Sequence, residues 1–416
     1  MSSTAILATI IGVFLVLLAL VVWSIKRHRD PCLQIDADQP LKDLFPSIAG
    51  MALDSPIEGN SAEIIENAAF FEAVLREIRA AQNSVHLETF LWEDGAVGRR
   101  IADALAERAR AGLTVRVLLD AVGSKKVGKE VEKQMKDAGC KVVMFHHRHV
   151  RNIGVFAERD HRKIVVVDGR VAFVGGHCIV DAWANGESRD ISVRLRGPIV
   201  HAVQSAFSEN WGAETGELFV GDRFFPQLDR AGDIKAHVAY AKPEGSAPAV
   251  KILHHLIIGI ARERLWIQNA YFIPEPEAIN AFGEAVKRGV DVRIMTPSMG
   301  GSDNPMVQHA AHRNFEKLLR CGVRIFEYPH ALLHQKVMTV DSCWCAIGSS
   351  NFDDRSFETN DEITVGFLDG ELAKQLEQIF ERDAADCVEV KLEEWRKRGV
   401  WQRTKEQVFY LINEVL

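Results

Sequence analysis

Two short segments far apart in the chain share one spelling, His-x-Lys followed by four residues and Asp: His161-Arg-Lys163-Ile-Val-Val-Val-Asp168 and His334-Gln-Lys336-Val-Met-Thr-Val-Asp341. In each, the run between Lys and Asp is apolar and predicts a strand, whose two-residue period sets His and Lys on the same face. Each strand start therefore offers an imidazole beside an ammonium. Small residues follow at matching distance, Gly175-Gly176 in the first copy and Gly348-Ser349-Ser350-Asn351 in the second. A turn with backbone and hydroxyl donors beside two cations makes an anion site.

The chemistry that uses these groups is exchange at a phosphodiester without a metal. One neutral histidine attacks phosphorus and becomes a phosphohistidine; the other, protonated, gives its proton to the leaving alkoxide and later takes one from the incoming alcohol. Lys163 and Lys336, with Asn351 and the Ser349 hydroxyl, hold the non-bridging oxygens where charge develops. Gly176 and Cys178 occupy the matching substrate-binding positions of the first copy. A nucleophilic histidine also needs its far nitrogen fixed by an acid. Asp190 and Glu362, 29 and 28 residues beyond His161 and His334 and each just ahead of a strand (ISVRL and ITVGF), are the candidates. Asp168 and Asp341 complete the motifs and are counted with the catalytic set, although their place at the far end of an apolar strand suits a structural acceptor better than a proton carrier. No cofactor and no metal is expected.

These residues need two similar scaffolds. Amphipathic helical stretches alternate with short β-branched runs, EIIENAAFFEAVLREIRAAQ, SVHLETFLW, IADALAERARAGL and TVRVLLD, which predicts a largely parallel sheet covered by helices. The order then recurs: RAGLTVRV around Gly112 reappears as KRGVDVRI around Gly289, and AGCKV around Cys140 as CGVRI around Cys321. Similarity at so long a period implies two like halves rather than a solenoid. The expected halves are residues 60–235 and 236–390, with the clearest linker by composition at Lys242–Pro248 and a boundary near 235–248.

From Thr4 to Trp23 there is no charge, and the run is as long as the ~20 helical residues that cross a bilayer core. It is followed by Lys26, Arg27 and Arg29 and lacks a basic start, so residues 4–25 are expected to be an uncleaved single-pass anchor. The positive flank places the catalytic part in the cytoplasm, at the cell inner (cytoplasmic) membrane, with residues 26–59 as a juxtamembrane segment. Fifty basic against 57 acidic residues, a net charge of −7, disfavour a general nucleic-acid binder. Seven cysteines, odd in number and without CxxC spacing, read as reduced thiols.

With both motifs and the run GSSNFDDRSFETNDE in hand, the chain resembles the phospholipase D superfamily over nearly all of residues 60–390. Within it, HRKIVVVDGRVAFVGG, HAAHRNFEKLLRCGVRIFEYPHALLHQKVMTVD and EEWRKRGVWQR resemble bacterial cardiolipin synthases. The resemblance implies an α/β fold, two halves in a pseudo-two-fold α/β/α sandwich with one site at their junction, and phosphatidyl transfer by a ping-pong route. It points to His161 as nucleophile, phosphatidylglycerol as donor, and a second phosphatidylglycerol or another lipid alcohol as acceptor. One departure stands out. Members commonly carry Asn two residues beyond the second small residue, as in Ser349-x-Asn351, whereas the first copy reads Gly176-His177-Cys178; Cys178 as a weak donor or His177 as a substitute is the expected compensation.

Other readings stay open. A phospholipase hydrolase or a nuclease uses the same reacting atoms, and a catalytically weak lipid-binding scaffold would tolerate Cys178. His146, His147 and His149 form a basic loop rather than a metal site, for want of an acid or cysteine at ligand spacing. His309 and His312, one helical turn apart, mark either a substrate-pocket helix or a solvated face. His254-His255 reads as a core or interface pair. Residues 391–416, with Trp395 and Trp401 among basic residues, either lie on lipid headgroups or pack on the body.

Overall fold

The computed structural model describes residues 39–145, 158–241 and 248–410, together with residues 5, 9, 11–14, 16 and 17, which are helical. Residues 1–34 form one compact unit and 35–416 another, and the second carries both motifs. Most of the expected anchor at 4–25, the histidines at 146, 147 and 149, and linker residues 242–247 lie outside the described residues. Among the described residues no helix is long and apolar enough to cross a membrane, and six free cysteines are found.

The first half contributes β1 (Ile57–Glu66), β2 (Ser84–Thr89), β3 (Thr114–Asp120), β4 (Lys141–Phe145), β5 (Ile164–Val167), β6 (Val171–Gly175), the short β7 (Ser188–Arg189) and β8 (Ile191–Arg196). The second contributes β9 (Ile234–Ala241), β10 (Arg264–Asn269), β11 (Asp291–Pro297), β12 (Arg324–Tyr328), the short β13 (Leu332–Leu333), β14 (Lys336–Val340), β15 (Trp344–Gly348), β16 (Glu362–Leu368) and β17 (Val388–Val390). Among the described residues fifteen of them form a continuous order β17-β12-β11-β10-β14-β15-β16-β9-β1-β8-β6-β5-β2-β3-β4, and β13 and β7 pair apart. Apart from the edge strand β17, the order reads alike from both ends inward: β2, β3 and β4 run parallel as β10, β11 and β12 do, and the motif strands β5 and β14 pair antiparallel with β2 and β10. The chain is α/β, built twice.

Helices Ala69–Ala80 and Ala96–Arg110 bury apolar faces against the first half, as Phe71, Val74, Ile78, Ile101 and Leu105 show. Between the halves, Val166, Val174, Ile191 and Val193 share one apolar cluster with Val238, Val337, Ile347 and Val365. Each such side chain contributes roughly 1.5–3 kcal/mol on burial, so the halves form one body and hold a junction site rigidly.

Two boundaries differ from the sequence reading, and one open alternative is decided. β9 pairs with β16 from Glu362↔Ala241 to Leu368↔Lys235, so the second half begins at Ile234; the compositional linker falls inside that half, between β9 and helix Ala249–Ile260. β1 begins at Ile57, and the expected juxtamembrane segment contains helix Leu41–Met51, which buries Leu41, Phe45 and Ile48 and sets Phe45 edge-on to His237 at 5.5 Å. At the carboxyl end, Trp395 stacks on Phe315 at 5.2 Å and Arg313 lies over Tyr410 at 3.9 Å, so residues 391–410 pack on the body, although Trp401 is 79% exposed.

The motif aspartates explain how the strands are held. Asp168 accepts backbone N–H bonds from Gln82, Asn83 and Ser84 at 2.6–2.9 Å, and Asp341 from Arg262, Glu263 and Arg264 at 2.8–3.0 Å. Both have positive φ, 55° and 51°, at the end of the strand opposite the histidine. Counting them as catalytic is therefore corrected: each pins a motif strand to the entry of its neighbour.

Candidate active site

Main-chain hydrogen bonds bring the motifs together. The N–H of His161 donates to the Asp361 carbonyl at 3.0 Å, and that of Asp361 to Arg159 at 2.8 Å. By the same scheme β13 runs parallel to β7, and the His334 N–H donates to the Arg189 carbonyl at 2.8 Å. Each motif is thus laced to the residue just before the other half's acid. His161 Nδ1 lies 2.8 Å from Glu362, and His334 Nδ1 lies 2.8 Å from Asp190. The pairs cross between halves, where chain spacing had set each acid behind the histidine of its own copy.

Lys163 and Lys336 each donate from Nζ to the carbonyl of the histidine two residues before, both at 2.7 Å. All four groups are at most 8% exposed, so two ammonium groups and two imidazoles converge where little water screens them. Burial, with Lys163 and Lys336 nearby, pushes the His161 imidazole well below its ordinary value. Burial and Lys336 also lower His334 below its ordinary value, against the opposing pull of the Asp190 carboxylate. Burial drives Lys336 down to about 8.

The two acids differ. Burial raises Asp190, yet His334 and His177 more than reverse it, to about 2. Burial raises Glu362 to about 7 against the opposing pull of Lys163 and Ser349. Asp190 also accepts from Trp183 Nε1 at 2.8 Å. A cavity of about 290 Å³ opens over His161, with Asn351, Arg159, Arg355 and Tyr271 in its wall.

The family described as "Cardiolipin synthase, PLD-like domain" matches residues 74–211 and 256–384, one stretch in each half and each carrying one histidine–lysine pair. The chain belongs to this family and is a phospholipase D superfamily enzyme. It is similar to cardiolipin synthase 2 of Bacillus anthracis, 31% identical over 401 residues that cover 94% of this chain and 78% of that one. It is also similar to a cardiolipin synthase of Staphylococcus aureus strain N315, 30% identical over 354 residues, 83% of this chain and 71% of the other. Among solved structures, the phosphatidylserine synthase of Haemophilus influenzae Rd KW20 shares the fold with TM-score 0.65 at 14% identity, covering 85% of this chain and 95% of that one. Polyphosphate kinase of Porphyromonas gingivalis does so with TM-score 0.55 at 14% identity, covering 92% and 57%.

In this phospholipase D superfamily enzyme the expected substrate-binding residues divide. Asn351 lines the cavity, and its Oδ1 finds no protein partner. Ser349 does not face substrate: its hydroxyl donates to Glu362. Gly176, its counterpart, lies against Asp190, and an added Cβ would collide with that carboxylate. Cys178 points its thiol at the Gly176 carbonyl, 3.8 Å away, within the first half's apolar core, and burial raises it to about 11. In the structure Ser349 and Gly176 lie against the acids and Cys178 lies in the apolar core, while Asn351 alone of the four lines the cavity. Nor does His177 substitute, since Ser192 at 2.8 Å and the Asn67 carbonyl at 2.9 Å hold both its nitrogens.

The helix Pro305–Arg320 does border the cavity, through Val307 and the N-cap Asn304. Its two histidines face elsewhere: His312 bonds Glu327 at 2.8 Å and His309 stacks on Phe409. His254 is buried, with Nδ1 2.7 Å from the Val250 carbonyl, in line with a core role. Sequence reasoning did not single out Trp183, Arg159, Tyr271 or Asp303, the last two joined by a 2.7 Å hydrogen bond. None lies at a spacing that signals chemistry. Arg355 stood only within the family run.

Proposed function

We propose that this enzyme is a membrane-anchored phosphatidyltransferase, moving a phosphatidyl group from phosphatidylglycerol to a second lipid alcohol; with phosphatidylglycerol as acceptor the products are cardiolipin and glycerol. The observation that carries this reading is the crossed pair of buried histidine–acid contacts, each beside a buried lysine. The names of the relatives support the lipid substrate.

In this reading His161 Nε2 attacks phosphorus, its neutrality maintained by burial and neighbouring cations. The phosphorus–oxygen bond to glycerol breaks, and protonated His334, stabilised by the ionised Asp190, gives its proton to the leaving oxygen. Glycerol departs, the acceptor hydroxyl gives its proton to His334, and its oxygen displaces His161 Nε2 from phosphorus. Lys163, Lys336 and Asn351 hold the non-bridging oxygens. Asp190 and Glu362 orient the imidazoles. Residues 4–25 anchor the chain in the inner membrane with the catalytic body on the cytoplasmic side, suiting a diacyl substrate that water does not carry. No metal or cofactor enters these steps.

Purified full-length enzyme in phosphatidylglycerol vesicles is expected to release glycerol and form cardiolipin. His161→Ala and His334→Ala should each lose turnover by roughly 10⁴-fold or more, as for members of one catalytic unit. Two independent half-activities would contradict a shared centre, and phosphatidic acid as sole product would make the enzyme a hydrolase. Trapping the intermediate and mapping the phosphorylated residue tests His161 as nucleophile.

A further inference from the structure

Behind the two histidines the halves are built alike but satisfy their polar groups differently. Arg162 and Gln335 follow His161 and His334, and strand alternation turns both away from the lysines, to the opposite face of the sheet. On that face Glu88, the fifth residue of β2, matches Gln268, the fifth residue of β10. In the second half amides supply donors: Gln268 and Gln335 give N–H bonds to Asp383 at 3.3 and 3.2 Å, and Arg189 gives it another at 3.0 Å. In the first half two acids meet instead. Glu88 is 1% exposed and Asp160 not at all. Glu88 accepts from the Asn210 amide at 2.9 Å, Asp160 from the Arg162 N–H at 3.2 Å, and the two carboxyls hydrogen-bond each other. The oxygens left over, Glu88 Oε2 and Asp160 Oδ2, find no donor group among the described residues.

Ionised carboxylates only accept, so a hydrogen bond between two carboxyls needs a proton on one of them. The surroundings keep that proton in place. Arg162 donates to the Ala206 and Ala241 carbonyls and to Glu209, Asp120 accepts the Asp160 N–H at 3.1 Å, and the Asp361 charge acts on both members of the pair. Burial lifts both carboxyls, Glu88 to about 7 against the pull of Arg162, and Asp160 well above the ordinary range with the Glu88 and Asp361 charges beside it. We propose that Glu88 and Asp160 share one proton and that this pair positions His161. Asp160 immediately precedes His161, and its main chain bridges Asp361, which immediately precedes Glu362. The pair therefore fixes the crossing at which the histidine meets its acid, whereas two bare carboxylates would repel each other and Asp361 at that point. Neither carboxyl lines the cavity over His161, so both act through the histidine.

The test compares detergent-solubilised full-length wild type with Glu88→Gln, which gives the pair the second half's amide and needs no proton. Wild type takes up a proton on folding, because the two carboxyls ionise separately in the unfolded chain; the stability it confers is present in acid and lost as pH rises. Between pH 5 and 7 the folded-to-unfolded ratio of wild type, read by urea unfolding, should fall relative to that of Glu88→Gln by up to tenfold per pH unit. Glu362 titrates in both proteins and cancels. Cardiolipin formation at pH 7.5 reads the positioning: Glu88→Ala should lower kcat about tenfold with the KM for phosphatidylglycerol within about twofold, and Glu88→Gln should recover most of that loss. Equal pH slopes in wild type and Glu88→Gln overturn the shared proton, and a wild-type kcat in Glu88→Ala overturns the positioning role. Should either variant fail to fold, Asp160→Asn, which brings the donor from the other partner, and Asp160→Leu, the residue found before His334, make the same two comparisons. Wild type that forms no cardiolipin removes the transferase reading and leaves the slope comparison standing, so the two failures are told apart.

Discussion

At the scale of residues, one buried acid and one buried lysine are expected to set the pH response of the site. Glu362 ionises at about 7 because it is buried; below that value a neutral carboxyl no longer draws the Nδ1 proton of His161, so turnover falls as pH decreases. Lys336 loses its charge above about 8, so turnover also falls as pH increases past that point. A bell-shaped kcat profile with its maximum between about 7 and 8 is expected, measured as cardiolipin formed per minute from pH 5.5 to 9.5. Glu362→Gln should lower kcat roughly 10²-fold and remove the acid limb. An acid limb that survives this substitution in place would assign it elsewhere.

Elements convert these contacts into geometry. Gly176 ends β6 where the Asp190 carboxylate needs the volume of a Cβ. Gly176→Ala should displace Asp190 from His334 and reduce turnover by about 10²-fold or more, while Gly186→Ala, with open space around it though at φ 89°, should affect stability alone; comparing kcat with melting temperature separates the two. Asp168 holds three backbone N–H groups at the entry of β2. Asp168→Ala leaves those donors without their acceptor and is expected to destabilise by about 1–3 kcal/mol, read as a lowered urea midpoint, with His161 chemistry intact in the fraction that stays folded. Loss of turnover without any loss of stability would return Asp168 to the catalytic set.

For the whole molecule, the unit formed by 35–416 holds both motifs and both histidine–acid contacts of the site. A chain lacking residues 1–38 should therefore keep its melting temperature and its turnover on detergent-dispersed phosphatidylglycerol. Its rate on intact vesicles should drop severalfold if residues 4–25 anchor the chain as proposed, since an anchor raises local concentration at the bilayer. Equal rates on vesicles for both forms would show that the body meets lipid by itself, for which exposed Val400 and Trp401 are the surface to examine.

The letters alone pointed to the proposed reacting groups, since His-x-Lys-x4-Asp written twice, each copy running into an apolar strand and a small-residue turn, leaves few other chemistries. They also determined the duplicated α/β plan, because strand and helix periods are local properties. Which acid serves which histidine was settled only in three dimensions: Asp190 lies 144 residues from His334 and Glu362 201 from His161, and no local period spans such separations. The same holds for Ser349 and Gly176, whose small size reads equally well as room for phosphate or room for a carboxylate until the neighbour is seen. Likewise the half boundary at Ile234 follows from the register of β9 on β16, a long-range pairing, while the proline- and glycine-rich stretch that marked it in the sequence reports only local chain stiffness. Pairing across a pseudo-two-fold axis is a property of packing, and packing is where the open cavity beside His161, walled by residues of both halves, parts company with the filled space beside His334.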